Sequence, residues 1–340
     1  MIKIGINGFG RIGRAILRNL VDNNDIKIMQ INDIDPNINN LAYLLSYDTH
    51  FGRFQSDVKI VGSSFDIDGK SILISSGQYV NEVDWHKDID IIIDSSGVSH
   101  NIDGCKKMVK SGLIKKGIVT HSPENVDATI IIGANEDHYD HQNHHVVSSS
   151  ICDAVAVSPV LNYLDKIVKI KHCMFTTLHP WLGYQNLLDG GINSVSNPGH
   201  FWTDYALGRN STENLIPKQT TAARAVKKVL PRFQNKLDAI SFRVPTAVVS
   251  CSDLTISFQN NIGVEEVIKK LKQFSNQNHF IHFNNESLVS SDYKGSKYAC
   301  IIDGQWLNVN NHLLKVILWY DNEFGYASRV CELTKYVMRR

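Results

Sequence analysis

Short apolar runs alternate with amphipathic stretches over roughly the first 150 residues. An apolar run at 3–7 ends in glycines, a helical pattern follows at 11–22, and a second apolar run at 26–32 ends just before Asp33. Further strand patterns lie at 58–61, 71–75, 89–94, 117–120 and 129–132, with a helical pattern at 102–111. Because strands and helices alternate, this part of the chain predicts an α/β fold with a doubly wound parallel sheet.

The pattern changes near residue 147. A predicted helix at 154–164 precedes long strand patterns at 167–178, 239–245, 247–258 and 313–320, and a last helical pattern covers 326–338. Long strands of this kind predict a second domain with a mixed, largely antiparallel sheet. Between them, 189–214 is rich in Gly, Asn and Ser, and so long an irregular stretch is usually functional.

Composition excludes several classes of protein. The chain has 340 residues and a formal net charge of +1 without a basic block, so we expect no nucleic-acid partner. No apolar run approaches the ~20 residues that span a bilayer, so we expect no membrane partner. The sequence begins directly in a strand pattern, so we expect no signal peptide and a cytoplasmic location.

The cysteines and histidines give no clear metal motif. Six widely spaced cysteines without Cys-x-x-Cys spacing are typical of free thiols in a reducing compartment. His144 and His145, like His138 and His141, are either exposed loop residues or metal ligands. We favour exposed loop residues and expect no metal.

A glycine motif follows the first strand. Gly8, Gly10 and Gly13 have the GxGxxG spacing at the start of a predicted helix, whose N-terminus would receive a pyrophosphate. Asp33 lies about 20 residues later, where a carboxylate bonds the ribose hydroxyls and repels a 2′-phosphate. The motif therefore predicts NAD as the cofactor, the alternative being a glycine-rich turn with a helix-capping Asp33.

Cys152 and His179 are the candidate catalytic pair. Cys152 precedes the predicted helix at 154–164, whose positive end would lower the thiol pKa. His179 follows a predicted strand and is the best candidate for the partner imidazole. A lone cysteine is also often an inert core residue.

The chain resembles phosphorylating glyceraldehyde-3-phosphate dehydrogenases along essentially its whole length. The matching stretches are GINGFGRIGR (5–14), SYDTH with Gly52 (46–52), SSG (95–97), QNLLD (185–189), AARAV (222–226), FRVPT (242–246) and WYDNEFGY (319–326). The last stretch is highly specific for this family.

The resemblance implies roles for individual residues. Cys152 corresponds to the nucleophile and His179 to the activating base. The implied NAD contacts are Arg11, Ile12, Asp33, Ser96, Gly97, Asn322 and Tyr326, with His121 where the family has a cofactor-side serine. It further implies a Rossmann domain over 1–151, completed by a C-terminal helix within 321–340, a catalytic domain over 152–320, and a homotetramer joined through the loop at 189–214.

The region of the nucleophile departs from the family. Ile151 and Asp153 replace a Ser and a Thr that help hold inorganic phosphate, and Leu182 replaces a Thr that binds the phosphate of the substrate. Asp153 should repel phosphate by Coulomb interaction. The implied substrate contacts Arg243 and Thr220 remain, and Arg209 aligns with a family arginine, so with Asp153 these residues form the predicted substrate site.

These observations lead to one preferred hypothesis and two alternatives. We expect NAD-dependent oxidation of a small aldehyde, glyceraldehyde 3-phosphate or a relative, through a thioester on Cys152 that water rather than phosphate releases. The alternatives are an ordinary phosphorylating enzyme of glycolysis, and a non-catalytic paralogue that acts by binding. The retained Cys152, His179 and cofactor residues argue against the last.

Overall fold

The chain divides into two compact units in the computed structural model, which describes residues 1–259 and 262–339. The first unit comprises Met1–Ile130, Asp137–Ser150 and the residues from Val330. The second comprises Ile131–Glu136 and Ile151–Arg329. No helix in the described part of the chain is long and apolar enough to cross a membrane.

The first unit is built on a nine-stranded sheet. The strands of the whole unit are β1 (Ile2–Asn7), β2 (Ile26–Asn32), β3 (Tyr47–Asp48), β4 (Gly52–Arg53), β5 (Val58–Val61), β6 (Ser64–Ile67), β7 (Lys70–Ser75), β8 (Ile91–Asp94), β9 (Lys116–Val119), β10 (Ala128–Thr129) and β11 (Val146–Ser148). Its helices are α1 (Arg11–Leu20), α2 (Ile38–Ser46) and α3 (His100–Lys110). The order in the sheet is β10-β11-β9-β8-β1-β2-β7-β6-β5, and β3 and β4 form a separate ribbon.

The sheet is parallel from β10 to β7 and antiparallel only at the β6 and β5 edge. Ile4 and Ile6 of β1 are fully buried, and α1 buries Ile16, Leu17 and Leu20 along one face. Strand order reverses at β1, which pairs with β2 on one side and β8 on the other. In such sheets, ligands bind where the order reverses, beyond the carboxyl ends of the strands.

The second unit contains an eight-stranded mixed sheet. Its strands are β12 (Ile170–Pro180), β13 (Ile216–Lys218), β14 (Leu237–Val244), β15 (Ser250–Phe258), β16 (Ile281–Asn284), β17 (Cys300–Asp303), β18 (Asn308–Asn310) and β19 (Leu313–Tyr320). Its helices are α4 (Cys152–Val168), α5 (Ala222–Val229), α6 (Val264–Gln277) and the first part of α7 (Phe324–Arg339). The order β13-β14-β12-β15-β19-β17-β16, with β18 beside β19, confirms the predicted combination of two sheet types.

The register of this sheet sets the positions of polar side chains. His179 of β12 pairs with Arg243 of the parallel strand β14, so the two residues are neighbours at the strand ends. Thr177 of β12 pairs with Ser252 of the antiparallel strand β15, and Tyr320 of β19 pairs with Ser250. The register therefore sets the positions of these polar residues of β12, β14, β15 and β19 relative to one another within one sheet.

The unit boundaries differ from the predicted domains at Ile151, which belongs to the second unit, and in two longer segments. Residues 131–136 belong to the second unit, where the Asn162 side chain donates to the carbonyl oxygens of Gly133 and Ala134 at 3.2 and 3.3 Å. Residues 321–329 also belong to it, and Asp321 there accepts a hydrogen bond from the Gly295 amide at 2.8 Å. Only the part of α7 from Val330 lies in the first unit.

Several predicted bounds of helices differ from those in the structure. Helix α4 begins at Cys152 rather than at 154, and it continues to Val168. Ile151, at its N-cap, makes no side-chain hydrogen bond, so the usual polar signal for a helix start is missing there. Helices α2, α5 and α6 were not predicted, although Asn37 caps α2 by accepting from the Asn39 and Asn40 amides.

Candidate active site

The glycine turn after β1 has the geometry of a dinucleotide cradle. Gly8 has φ +88°, and a Cβ placed on it would lie 2.6 Å from the Ser96 nitrogen. A Cβ on Gly13 would lie 2.2 Å from the Gly8 carbonyl oxygen, so the start of α1 packs directly on the turn. A Cβ on Gly10 would meet no atom within 4 Å. The turn is therefore closed toward the protein at Gly8 and Gly13 and open at Gly10.

The N-cap of α1 carries no side chain that could occupy the position of a ligand. Gly10 occupies the N-cap and supplies no side-chain hydrogen bond, and the first turn holds no acidic residue. The positive end of the helix dipole suits a pyrophosphate. The residues of this turn fit the NAD predicted for it.

Asp33 also supports the turn itself. One carboxylate oxygen accepts from the Phe9 amide at 2.6 Å, and the other accepts from the Asp35 amide at 3.0 Å. The carboxylate thus ties the end of β2 to the glycine turn. This structural contact was not predicted from the sequence, which assigned Asp33 to the ribose alone.

The other predicted cofactor residues of the first unit have varied surroundings. The Ser96 hydroxyl donates to Asp94 at 2.7 Å, and Gly97 has φ +74°. Arg11 forms an ion pair with Asp48, while Ile12 is half-buried in the first turn of α1. His121 has two ring nitrogens that are shielded from solvent and lack a hydrogen-bond partner. Such orphaned polar atoms suit a bound polar ligand.

Asn322 and Tyr326 lie in the second unit. The Asn322 side-chain oxygen accepts from the Val249 amide at 3.0 Å, and Tyr326 is buried near the start of α7. Val249 has φ +73°, so Asn322 supports a left-handed turn of the backbone. The predicted NAD contacts therefore belong to both compact units.

Cys152 and His179 form the predicted pair. The Cys152 sulfur lies 3.5 Å from His179 Nε2, and His179 Nδ1 lies 2.8 Å from the Pro180 carbonyl oxygen. A carbonyl oxygen only accepts, so Nδ1 carries the proton and the Nε2 lone pair faces the thiol. The imidazole is therefore oriented to accept the thiol proton.

The expected lowering of the thiol pKa is not found. Burial raises the pKa of the Cys152 thiol well above its usual value, and the Asp153 charge raises it further. Arg243 and the backbone amides at the start of α4 oppose this rise. Burial lowers the pKa of His179 well below its usual value, and Arg243 adds to that effect. The resting pair is thus a neutral thiol beside a neutral imidazole.

Asp153 is held by a tyrosine that the sequence analysis did not select. The Tyr320 hydroxyl donates to Asp153 Oδ1 at 2.5 Å and lies 3.1 Å from the Ser252 hydroxyl. Burial raises the pKa of Asp153, although the Tyr320 hydrogen bond and the charges of Arg243 and Lys218 oppose the rise. Tyr320 lies in the WYDNEFGY stretch, which was the only sequence signal for it.

Arg243 is a buried cation without a carboxylate partner. It is 7% exposed, its Nε has no hydrogen-bond partner, and no carboxylate of the described residues forms an ion pair with it. Its longer contacts are to the Pro180 carbonyl oxygen at 3.4 Å and the Tyr184 hydroxyl at 3.5 Å. A buried guanidinium in this state suits an anionic ligand.

Lys218 is a second cation of this site, because its charge acts on Asp153 and His179, and it was missed because its strand was not predicted. Burial lowers its pKa, and the charge of Arg243 lowers it further. The Lys218 ammonium lies 5.5 Å from the ring centroid of Trp202, which stacks with Tyr184 at 6.3 Å. The thiol pocket therefore has aromatic groups beside its cations.

Two predicted substrate residues make other contacts. The Thr220 hydroxyl accepts from the Ala222 amide at 3.0 Å, at the start of α5. Arg209 forms an exposed ion pair with Asp189 at 2.8 Å, within the predicted loop at 189–214. Neither contact excludes or supports a role in substrate binding, so those two assignments stay predictions.

The thiol, carboxylate and imidazole are close enough to share a ligand. The sulfur of Cys152, a carboxylate oxygen of Asp153 and a ring nitrogen of His179 all lie within 4.8 Å of one another. No other group of three potential metal ligands occurs among the described residues, the histidines of the 138–145 segment included.

Comparison with known proteins identifies both units. The model of the glyceraldehyde 3-phosphate dehydrogenase NAD binding domain matches residues 2–102, and the model of the C-terminal domain matches residues 151–322. Glyceraldehyde-3-phosphate dehydrogenase of Priestia megaterium is 35% identical, over 99% of this chain and 98% of its own. The Geobacillus stearothermophilus protein of that name is 34% identical over the same shares, and glyceraldehyde-3-phosphate dehydrogenase 2 of Trichormus variabilis is 36% identical over 100% and 99%.

Proposed function

We propose that this chain, which belongs to the glyceraldehyde-3-phosphate dehydrogenase family, oxidises glyceraldehyde 3-phosphate or a related small aldehyde. Water would then attack the thioester on Cys152 and release the product as a free acid. The family is NAD-dependent, and the glycine turn supports the same cofactor here. The observation that carries the proposal is the Cys152–His179 pair, with Nε2 presented to the sulfur at 3.5 Å.

The first half of the reaction follows from this pair. His179 Nε2 takes the thiol proton while the sulfur attacks the aldehyde carbon, and the resulting oxyanion takes that proton to give a thiohemiacetal on Cys152. Backbone amides at the start of α4 and His179 itself stabilise the oxyanion. A bound NAD would supply the acceptor for the hydride that leaves the thiohemiacetal carbon. His179 removes the hydroxyl proton in that step, and Cys152 carries a thioester.

Asp153 supports release by water. Its carboxylate is within 4.8 Å of the sulfur and the imidazole, a separation that one water molecule bridges. Tyr320 fixes one carboxylate oxygen, and burial raises the carboxyl pKa toward the range of an effective general base. Asp153 would take a proton from the attacking water, the acid would leave, and the thiolate would recover a proton.

Release by phosphate is the second candidate, because Arg243 and Lys218 favour an anion in this pocket. The buried Arg243 lacks a carboxylate partner, so it would bind either the phosphate of the substrate or inorganic phosphate. The charge of Asp153 weakens binding of a second anion beside the thioester. We therefore assign the cations to an anionic aldehyde and the release step to water.

The test is NADH formation as a function of phosphate concentration, with identification of the product. We expect turnover without phosphate and a free carboxylic acid. The double variant Ile151→Ser, Asp153→Thr should gain phosphate dependence, while Asp153→Asn controls for loss of charge alone. A steep phosphate requirement of the wild type, with an acyl phosphate as product, would establish ordinary phosphorylating activity instead.

A homotetramer is the assembly that we propose with this function. The loop at 189–214 carries apolar side chains that are largely exposed in the single chain, Phe201 at 66% and Tyr205 at 86%. Leu188, just before it, is 79% exposed. Exposed apolar groups concentrated on one segment support contact with another copy. Light scattering should give four copies for the wild type and fewer for Leu188→Asp, Tyr205→Asp; a monomeric wild type would contradict this assembly.

A further inference from the structure

We propose that Cys152, Asp153 and His179 together form a reversible binding site for a zinc ion, which blocks the thiol while the ion is bound. Thiolate, carboxylate and imidazole are the three side-chain groups that bind zinc in proteins. Here they converge within 4.8 Å from the first turn of α4 and the end of β12. The inference extends the proposed function by adding a regulator of the same thiol.

The distance between the two softer ligands fits a tetrahedral ion. Zinc bonds to sulfur and to imidazole nitrogen of about 2.3 and 2.05 Å, at a tetrahedral angle, place those atoms about 3.6 Å apart. The Cys152 sulfur and His179 Nε2 are 3.5 Å apart. Zinc would therefore bind between them with little movement of either side chain.

His179 and Asp153 each have a hydrogen bond of the kind that orients ligands in metal sites. His179 Nδ1 donates to the Pro180 carbonyl oxygen at 2.8 Å, so the Nε2 lone pair is the one available to a metal. The Tyr320 hydroxyl donates to Asp153 Oδ1 and so fixes the orientation of the carboxylate. Three protein ligands leave a fourth position for water, as in zinc sites that remain open.

The charges of the ligands and of the neighbouring residues determine the affinity of this site for zinc. Binding of zinc replaces the thiol proton, which passes to solvent, and the thiolate and the Asp153 carboxylate together neutralise the ion. The charge of Arg243 acts on both groups and that of Lys218 acts on Asp153, so the two residues oppose a cation. Without Asp153 the ion would keep a net positive charge beside these two residues. Asp153 is therefore the ligand on which binding depends most.

Zinc would inhibit by occupying groups that catalysis needs. The metal uses the sulfur that attacks the aldehyde and the Nε2 lone pair that takes the thiol proton. Aldehyde and zinc should therefore compete for the free enzyme. A threonine at position 153, which the family carries, offers a neutral hydroxyl in place of the carboxylate and makes a poorer zinc ligand.

The experiment titrates the metal-free protein with Co²⁺ and then displaces it with Zn²⁺. We expect one Co²⁺ per chain, with the intense visible bands of a tetrahedral ion and a thiolate charge-transfer band that Zn²⁺ removes. Asp153→Asn and Asp153→Thr should each weaken binding by roughly tenfold or more, since even outer contacts of metal sites change affinity by 10–100-fold. The exposed His138 provides the control variant His138→Asn, which should bind Co²⁺ as the wild type does.

A second measurement is independent of turnover. Zn²⁺ should slow alkylation of Cys152 by iodoacetamide in the wild type and much less in Asp153→Thr, with circular dichroism checking that each variant is folded. Octahedral Co²⁺ spectra without a thiolate band, or equal affinity in wild type and Asp153→Thr, would overturn the zinc site. Those results would leave the proposed oxidation untouched, because the NADH assay in metal-free buffer tests it separately.

Discussion

Two helix N-termini hold the predicted cofactor turn and the predicted nucleophile of this protein, and they differ in what occupies their first turn. Helix α1 begins after Gly10 with no acidic residue in its first turn, and a Cβ on Gly10 would meet no atom within 4 Å. Helix α4 begins at Cys152 and places Asp153 in its first turn. The first end therefore attracts an anion, whereas the second already contains one. The same backbone device therefore lies at the predicted cofactor turn in one unit and beside a neutral thiol with an adjacent carboxylate in the other.

The largest expected effect tests the nucleophile at the start of α4. Cys152→Ser should lower NADH formation by roughly 10⁴-fold or more, because loss of a nucleophile removes the covalent route. NAD affinity, measured by calorimetry, should stay at the wild-type value, since the glycine turn belongs to the other helix end. Substantial turnover of this variant would place the nucleophile elsewhere.

A smaller effect is expected for the base. His179→Asn should slow the reaction by roughly 10²–10⁴-fold, the range for loss of a positioned general base. The asparagine side chain keeps a polar group near the Pro180 carbonyl oxygen but offers no comparable base to the sulfur. Pre-steady-state measurement of acylation gives the rate directly. An acylation rate equal to that of the wild type would show that another group takes the thiol proton.

The two helix ends also differ in how well the sequence predicted them. Glycine spacing and the acid after β2 specified the first end, since the steric requirement at Gly13 is local and comes from the Gly8 carbonyl oxygen. The sheet order that places this turn at the reversal point follows from regular strand–helix alternation. Here local sequence and tertiary structure agree, so the prediction needed no knowledge of distant contacts.

The second end depends on contacts across long stretches of sequence. Tyr320 contacts Asp153 although the two residues are 167 positions apart in the sequence. Arg243 is placed at the site because its strand pairs with that of His179. No local pattern encodes these contacts. The raised thiol pKa was missed for the same reason, because burial is its largest cause and depends on the whole pocket. Lys218 lies on a three-residue strand that is too short for a periodic signal.

A matched pair of substitutions tests whether close packing of the glycines defines the N-terminal end of α1. Gly13→Ala should destabilise the protein by about 1–3 kcal/mol, because its Cβ would lie 2.2 Å from the Gly8 carbonyl oxygen. Gly10→Ala should keep the wild-type melting temperature, since its Cβ meets nothing within 4 Å, but should weaken NAD binding by filling the open face of the turn. Calorimetry measures both quantities. Equal melting temperatures for the two variants would contradict the steric argument.

The smallest effect concerns the charge that distinguishes α4 from α1. Burial is the first cause of the raised Cys152 pKa and the Asp153 charge is the second, so removal of that charge should lower the thiol pKa. In Asp153→Asn, the pH profile of iodoacetamide alkylation should therefore move to lower pH, by roughly one unit for a like charge this close.

A control variant and the direction of the shift show whether the Asp153 charge causes the change in the thiol pKa. Asp238→Asn removes an exposed carboxylate on β14, the strand that also carries Arg243, and should leave the profile in place. His179 is neutral near pH 7 because burial lowers its pKa, so its own titration lies below the thiol transition and does not produce the shift. An unmoved profile in Asp153→Asn would mean that Asp153 is uncharged in the resting enzyme. The two helix ends would then differ in shape but not in charge, and phosphate would meet no repulsion at the thioester.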